Sequence, residues 1–441
     1  MRQENNIHSQ FYGYLGAYIL VALSGCLGNV VDGIIVGNLI SADGVSAINL
    51  SKPINQFIFT LHLLINAGAG MLVGYSLGKK NINDARSLFT RALTLSVGVG
   101  IVLAIVGGMI FPNQVARLLC KNELLLPLAQ EYAQVLLIGN FAFILMWGLS
   151  TMVGVDGSPK LVSLAVIIDN VVNLLLDIVF IQAFGWGLAG SSAATVVGHL
   201  VGIAILLTHW RKPENRRLMP VFTTDGLLES WKHIFSQGAP LAAASICLTL
   251  LLFSANSIVL STAGSTGIFV FALCMNLLQV YNLFVSGTCQ TLQSLGAIQV
   301  GKGNEQGLTT VIRKGFRFIT VAMVITCLIV WIFPEGIARL FGSKDPQAIE
   351  QSRHVLRVFA LSFIPFCYIY VLMIVYKLYS QHRMALFISF ALSLMVIPVL
   401  WIMARLMPQH IWYSYLIAYM IEAAIIFILH KTRHIQFKLK A

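Results

Sequence analysis

Charged residues are scarce in this chain of 441 residues, where Asp, Glu, Lys and Arg make up only 10%. Soluble domains carry about a quarter. Apolar residues make up 57%, and the mean hydropathy is +0.81. This small number of charged side chains cannot cover the surface of a water-soluble protein. The composition therefore predicts a protein surrounded by lipid. The apolar runs are about 20 to 30 residues long, which favours spanning helices over the short alternating strands of a barrel.

Other features are missing altogether. The seven cysteines are dispersed and include no CxxC pair, so we expect neither disulfides nor a cysteine metal site. No GxxxxGK[ST], HExxH or GxSxG motif occurs, which argues against ATP-driven pumping and hydrolase chemistry, and we expect no enzymatic activity. Because residues 1–10 are polar and the first apolar run is too long for a signal peptide, we expect it to remain as a spanning helix.

Hydropathy and helix breakers predict twelve spans. They lie near 13–38, 48–78, 88–111, 125–152, 160–182, 187–210, 233–262, 266–299, 310–333, 350–378, 384–406 and 411–431. With the N-terminus in the cytoplasm, 21 of the 29 Lys and Arg residues fall on the cytoplasmic side and 8 outside, as the positive-inside rule requires. We therefore expect a multi-pass protein of the cell membrane with both termini cytoplasmic. The net charge of +12 then reflects topology and contact with lipid headgroups rather than nucleic-acid binding.

The two halves of the chain repeat each other. The segment 111–118, FPNQVARL, recurs 222 residues later as 333–340, FPEGIARL, with Phe, Pro, Ala, Arg and Leu identical. A neighbouring offset of 223 aligns Gln56 with Gln279, Gly78 with Gly301, Asn81 with Asn304 and Lys160 with Arg383. Six helices are an even number, so both halves have the same orientation and are related by an axis along the membrane normal. This predicts an all-α protein with an N-terminal lobe at 1–212, a cytoplasmic loop at 213–232 and a C-terminal lobe at 233–441.

Acidic side chains at membrane depth need an explanation, because each costs about 2.5 to 3.5 kcal/mol there. Four of the seventeen fall well inside predicted spans: Asp32, Asp169, Asp177 and Glu422. Asp169 and Asp177 share one face of the fifth helix with Asn173, at i, i+4 and i+8. Facing Asp32 of the first helix, they would share a proton or bind a monovalent cation. The alternative is that they only hydrogen-bond neighbouring helices. For the isolated Glu422 we favour a structural or snorkelling role.

Several amides and two histidines are buried in apolar runs. A polar path for substrate and simple hydrogen bonding between helices explain the amides equally well. The candidates for a substrate cavity are Gln56, Asn256, Asn276, Gln279 and Asn282. We interpret the isolated His62 and His199 as packing or hydrogen-bonded residues, since neither has metal-ligand spacing around it.

Three motifs resemble one known family. They are the run DGIIVG at 32–37, the stretch 74–81 followed by Asp84-Ala85-Arg86, and Asn173-x3-Asp177 followed by GLAGSSAAT at 187–195. Their order and spacing resemble the multidrug and toxic compound extrusion (MATE) family over essentially the whole chain. The absence of acidic residues from the interior of the seventh and tenth spans is similar to the DinF branch of that family.

The resemblance implies a twelve-helix exporter with two lobes around a cavity, which exchanges H+ or Na+ for organic, often cationic compounds by alternating access. It implies that Asp32 and Asp177 are the ion-binding carboxylates and that Asn173 and Thr195 supply neutral oxygens. Asp169 is an extra acid, which would widen the cation site or contact a basic substrate. We expect no cofactor beyond the coupling ion, contacts with membrane lipids and small organic substrates, and a monomer.

Two rivals remain from the sequence. A lipid-linked oligosaccharide flippase of the same superfamily shares the architecture, but such proteins line the cavity with several basic residues. Here Arg357 and Lys377 are the only candidates deep in a span. An intramembrane enzyme would need paired catalytic residues or a metal set.

Overall fold

The computed structural model describes residues 2–40, 42–119, 126–212, 218–219, 221, 227–340 and 346–432. At some helical positions it describes the backbone alone; these include 29–34, 36–38, 42–47, 264–266 and 338–340. Every regular element in the described parts of the chain is a helix. Ten of these helices are long and apolar enough to span a membrane, and the pair Leu126–Ile138 and Asn140–Val155, bent by 48°, makes an eleventh.

The chain divides into two compact units, Tyr12–Ala239 and Pro240–Ala441, the second of which includes residues 1–11. The helices of the first half are α1 (Arg2–Leu39), α2 (Ala42–His62), α3 (Gly68–Gly78), α4 (Ile82–Leu103), α5 (Pro112–Leu119), α6 (Leu126–Ile138), α7 (Asn140–Val155), α8 (Pro159–Ile178) and α9 (Gly187–Leu207). Widened π-helical turns join α2 to α3 and extend α4 and α8, at Leu63–Ala67, Ala104–Ile110 and Val179–Ala183.

The helices of the second half are α10 (Leu227–Thr291), α11 (Ala297–Gly301), α12 (Glu305–Ile332), α13 (Pro334–Leu340), α14 (Pro346–Leu378), α15 (His382–Leu394), α16 (Val396–Leu406) and α17 (Ser414–Thr432). A π-helical turn, Leu292–Gly296, joins α10 to α11. The start of α10 belongs to the first unit. There Gly238 lies so close to the π-helical turn Leu63–Ala67 that a Cβ atom on it would fall 1.9 Å from the main-chain oxygen of Leu64, which only glycine allows.

The helix α10 contains two predicted spans. Its 65 residues would measure about 97 Å if straight, more than twice the thickness of a bilayer. It is not straight, because a Cβ atom on Gly267 would lie 2.2 Å from the Cβ atom of Ala263. Residues four apart on a regular helix have Cβ atoms about 5 to 6 Å apart. The seventh and eighth spans therefore meet at 263–267 without an intervening loop. The eighth span continues to Gly301, and counting it brings the total to twelve.

The internal repeat is visible in local backbone geometry. Asn81 and Asn304, 223 residues apart, each cap a helix by accepting a hydrogen bond from a backbone N–H three residues on, at 3.2 and 3.0 Å. Lys80 and Gly303, at the same offset, both have positive φ, 59° and 64°. The repeated Phe-Pro motif also begins a short helix in each half, α5 and α13. The repeat in the sequence is thus matched by the same local backbone geometry at these positions in both halves.

Candidate functional site

The helix α8 has one polar and one apolar face. Asp169, Asn173 and Asp177 are 6, 9 and 0% exposed, respectively, so the polar stripe points into the protein. The opposite face exposes large apolar side chains: Leu164, Ile167, Val171 and Leu175. Exposed apolar groups are stable against lipid, whereas carboxylates are not, so the sequence pattern itself fixes how α8 is turned.

Two hydrogen-bonded contacts join the polar stripe to the antiparallel helix α9. The amide Nδ2 of Asn173 donates to Oγ1 of Thr195 at 3.1 Å, and Nδ1 of His199 lies 2.9 and 3.1 Å from the two carboxylate oxygens of Asp169. In both pairs the two residues are equally far along the chain from residue 184, which lies in the turn between the helices. The same register places Asp177 level with Ser191. Because the amide nitrogen of Asn173 is bound to Thr195, its carbonyl oxygen is the atom left for a cation.

Small residues on α9 allow this close approach. A Cβ atom on Gly198 would fall 2.7 Å from Oδ1 of Asp169 and 2.8 Å from its main-chain oxygen. A Cβ atom on Gly202 would lie 3.3 Å from the Cβ atom of Asp169. Glycine at these positions lets two helix backbones approach, as in other membrane helix pairs.

The helix α1 packs beside α8 and runs parallel to it. Oγ of Ser163 donates to the main-chain oxygen of Ala17 at 2.8 Å, and Nδ2 of Asn170 donates to Oγ of Ser24 at 3.1 Å. Both contacts join residues 146 apart, seven residues along each helix. One further heptad brings position 31 of α1 level with Asp177. The side chain of Asp32, the predicted partner, lies outside the described residues.

A model of the MatE family matches residues 18–179 and 240–402, one segment in each half of the chain. The chain belongs to the MatE family. Its relatives include the probable multidrug resistance protein NorM of Thermotoga maritima, 26% identical over 72% of this chain and 68% of the relative. The multidrug export protein MepA of Staphylococcus haemolyticus is 22% identical over 88% and 86%, respectively.

Solved MATE structures share this fold. An outward-facing multidrug resistance MATE transporter of the MOP superfamily gives a TM-score of 0.85 at 18% identity, covering 96% of this chain and 95% of that one. A mutant of the Vibrio cholerae MATE transporter VcmN gives 0.87 at 16%, covering 99% of both. This MatE chain is therefore an all-α membrane protein of twelve helices in two six-helix lobes.

Three histidines of the first half have hydrogen-bond partners, including His62 and His199, in agreement with their interpretation as packing or hydrogen-bonded residues. His62 is buried, with Nδ1 3.3 Å from the amide nitrogen of Asn66. A further pair, which the sequence does not predict, joins Nε2 of His209 to Oδ2 of Asp156 at 2.9 Å, with both side chains almost wholly buried. Asp156 directly follows α7 and precedes the turn into α8. A histidine 53 residues from its carboxylate gives no sequence signal, because only the helix packing brings the two together.

The predicted cavity amides lie at differing depths. Asn256, Asn276 and Gln279 are exposed, and Gln56 and Asn282 are half-buried. Exposure on a spanning helix is compatible with contact to lipid or to a water-filled path, so their role in substrate binding stays a prediction.

Two ionisable residues of the second half are deeply buried. Glu422 is 0% exposed, and among the described residues neither of its carboxylate oxygens has a hydrogen-bond partner. Full burial contradicts the snorkelling role considered for it. Lys377 is also 0% exposed, whereas Arg357 is half-buried and its Nε donates to the main-chain oxygen of Trp331 at 3.2 Å.

Proposed function

We propose that this protein is a secondary efflux antiporter that exports organic, often cationic compounds in exchange for H+ or Na+. The observation that carries the proposal is the buried group on α8 and α9, where Asn173 is hydrogen-bonded to Thr195 one turn from the fully buried Asp177. Carboxylate and neutral oxygens inside a membrane protein are suited to binding a small cation and releasing it again. The names of the relatives, multidrug resistance and multidrug export, point to the same class of substrate.

The proposed mechanism is alternating access controlled by charge. A cation that enters from outside neutralises Asp32 and Asp177, with Asn173 and Thr195 completing the site. Loss of the negative charge changes helix packing in the first lobe and weakens the attraction for a positively charged substrate, which leaves outward. Reciprocity requires that bound substrate disfavour the cation by the same factor. The parallel register of α1 and α8 at 17/163 and 24/170 supports this arrangement, because the same register continued for one more heptad would bring position 31 of α1 level with Asp177.

The proposal includes the setting of the protein. It acts in the cell membrane as a monomer with both termini in the cytoplasm, in contact with lipids and small organic substrates. It needs no cofactor beyond the coupling ion, and it is placed in the DinF-like branch of the family. The relative MepA is named an export protein and the outward-facing MATE structure a transporter, which agrees with a transporting role.

A flippase for lipid-linked oligosaccharides is not favoured. A pyrophosphate group carries several negative charges and calls for several cationic side chains around it. In the described spans of the second half, Arg357 donates to a main-chain oxygen and Lys377 is fully buried. These two residues do not form the basic lining that such a substrate needs.

Dye efflux in inverted membrane vesicles tests the coupling site. Ethidium transport is driven separately by a pH gradient and by a Na+ gradient, with wild type, Asp32→Asn and Asp177→Asn. We expect both variants to lose at least about tenfold in driven transport, because the amide is an uncharged analogue that cannot bind a proton or hold a cation by charge.

The matched control is Glu229→Gln, since Glu229 has a side chain 79% exposed to solvent and lies at the start of α10. It is expected to pump like wild type. Normal rates with normal ion dependence in both aspartate variants would rule out the proposed site. Loss of transport in the glutamine control would point to a general effect of removing a carboxylate.

A further inference from the structure

A histidine and an aspartate form a pair in the first lobe, one turn along from the oxygens of Asn173 and Thr195. Nδ1 of His199 contacts both carboxylate oxygens of Asp169, at 2.9 and 3.1 Å. The side chains are 14 and 8% exposed, respectively, so the pair is largely but not completely buried. The family pattern accounts for Asn173 and Thr195 and leaves this pair without a role.

The pair has no counterpart in the second half of the chain. The offset of 223, which aligns Lys160 with Arg383 just before this point, places Leu392 opposite Asp169 and Glu422 opposite His199, so the second half has neither the aspartate nor the histidine at these positions. A contact required simply to close a six-helix lobe would be expected in both lobes. The pair is instead a feature added to the first lobe alone.

We propose that Asp169 and His199 form a second proton-binding site that is selective for H+ over Na+. It is separate from the proposed cation site at Asn173, Asp177 and Thr195, called the oxygen site below. With one proton on Nδ1, the pair has a net charge of −1; a second proton on Nε2 makes it neutral. Sodium binds best to several oxygen ligands. Here both carboxylate oxygens already face an imidazole nitrogen, so the pair offers Na+ no comparable site.

The surroundings supply little competing charge. From α7, Phe143 meets the imidazole ring edge to face at 5.4 Å, and Met146 lies against Gly202 next to the pair; neither side chain titrates. The helix α1 carries Cys26 near this level, and the side chain of its Asp32 lies outside the described residues. Asp177 is two turns away on α8, at about 12 Å along the helix axis. His62 lies beyond Trp147, whose ring stands 5.9 Å from it.

The two charge states explain how this site would act in transport. A net charge of −1 in a low-dielectric lobe attracts an organic cation, and proton uptake removes that attraction. Substrate binding and proton release are then linked equilibria. The inference rests on the proposed export function and specifies H+ as a coupling ion. Because the pair binds a proton, export depends on pH whichever ion occupies the oxygen site.

The first test observes the pair directly in full-length protein labelled with 15N in the histidine rings. The signal of His199, assigned by its loss in His199→Gln and by its shift in Asp169→Asn, is expected to change when the sample is brought from pH 9 to pH 5, because the pair takes up a proton. Replacing Na+ by K+ should leave that change unaltered. A His199 signal that stays constant over this range, or one that follows Na+ instead of pH, overturns the proposal.

The second test measures ethidium binding to the purified protein from pH 5.5 to 8.5. For one proton released per ethidium bound, linkage predicts that the dissociation constant of wild type changes by about tenfold per pH unit. We expect a change below about threefold in His199→Gln, which keeps an N–H donor toward Asp169. His62→Gln, a change at another buried histidine of the same unit, should behave as wild type.

The two proposals fail in different ways. An unchanged pH dependence in His199→Gln overturns the second proton site, even where Asp177→Asn abolishes efflux. Wild-type efflux in Asp32→Asn and Asp177→Asn overturns the coupling site, even where the His199 signal titrates. If His199→Gln does not fold, the wild-type titration with assignment from Asp169→Asn still decides the matter.

Discussion

The hydroxyl group of Thr195 makes two hydrogen bonds at the proposed cation site. Its oxygen accepts from Asn173 at 3.1 Å while its proton goes to the main-chain oxygen of Ser191 at 3.2 Å. Thr195→Val keeps the shape but leaves the buried amide of Asn173 without this acceptor, which costs about 1 to 3 kcal/mol. We expect a lower apparent melting temperature in detergent and a several-fold higher cation concentration for half-maximal efflux.

Thr151 provides the matched control, because its hydroxyl donates only to the main-chain oxygen of Trp147 one turn earlier, at 2.9 Å. Thr151→Val should keep the cation dependence of wild type. If Thr195→Val loses stability but keeps an unchanged half-saturating cation concentration, the contact has a structural role alone.

At the scale of elements, the hairpin of α8 and α9 shows what a sequence can and cannot predict. The spacing of Asp169, Asn173 and Asp177 predicts one buried face, and the structure has it. The partner of Asp169 was not predicted, although counting outward from the turn at residue 184 leads to His199. That count needs the position of the turn, and the π-helical turn Val179–Ala183 shifts it in a way that hydropathy does not reveal.

The parallel register of α1 and α8 predicts which pairs of cysteines, one on each helix, can form a disulfide. In a variant without native cysteines, Ser24→Cys with Asn170→Cys should form a disulfide on mild oxidation, since these side chains touch in the wild type. If the register continues, Val31→Cys with Asp177→Cys should do the same. A protease site placed between α5 and α6 separates the helices, so a cross-linked chain remains one band on a gel.

Val31→Cys with Asn170→Cys is the control, because it is out of register by seven residues, or about 10 Å along the helix axis. It should stay uncross-linked. A disulfide at 24 and 170 without one at 31 and 177 would mean that the helices diverge before Asp177, and the proposed meeting of Asp32 with Asp177 would lose its support.

For the whole molecule, composition and repetition predict the class of fold because they depend on sums over many residues. Twelve spans and two similar halves follow from hydropathy and from motifs such as FPNQVARL, and the fold agrees. The sequence does not predict that α10 joins two spans without a loop, or that its first turns pack on the π-helical turn between α2 and α3. Both depend on contacts between distant residues, such as Gly238 against Leu64.

The charge distribution predicts the orientation of the whole molecule in the membrane, and two single-cysteine variants in a cysteine-free background test this prediction. Lys302→Cys, between α11 and α12, and Met407→Cys, after α16, are both at exposed positions. Because Lys and Arg side chains are retained on the cytoplasmic side, a membrane-impermeant maleimide added to intact cells should label position 407 and leave position 302 unlabelled until the cells are opened. The opposite pattern would invert the topology. Export in exchange for an entering cation would then need the site to open to the other side first, so this result bears directly on the direction of transport.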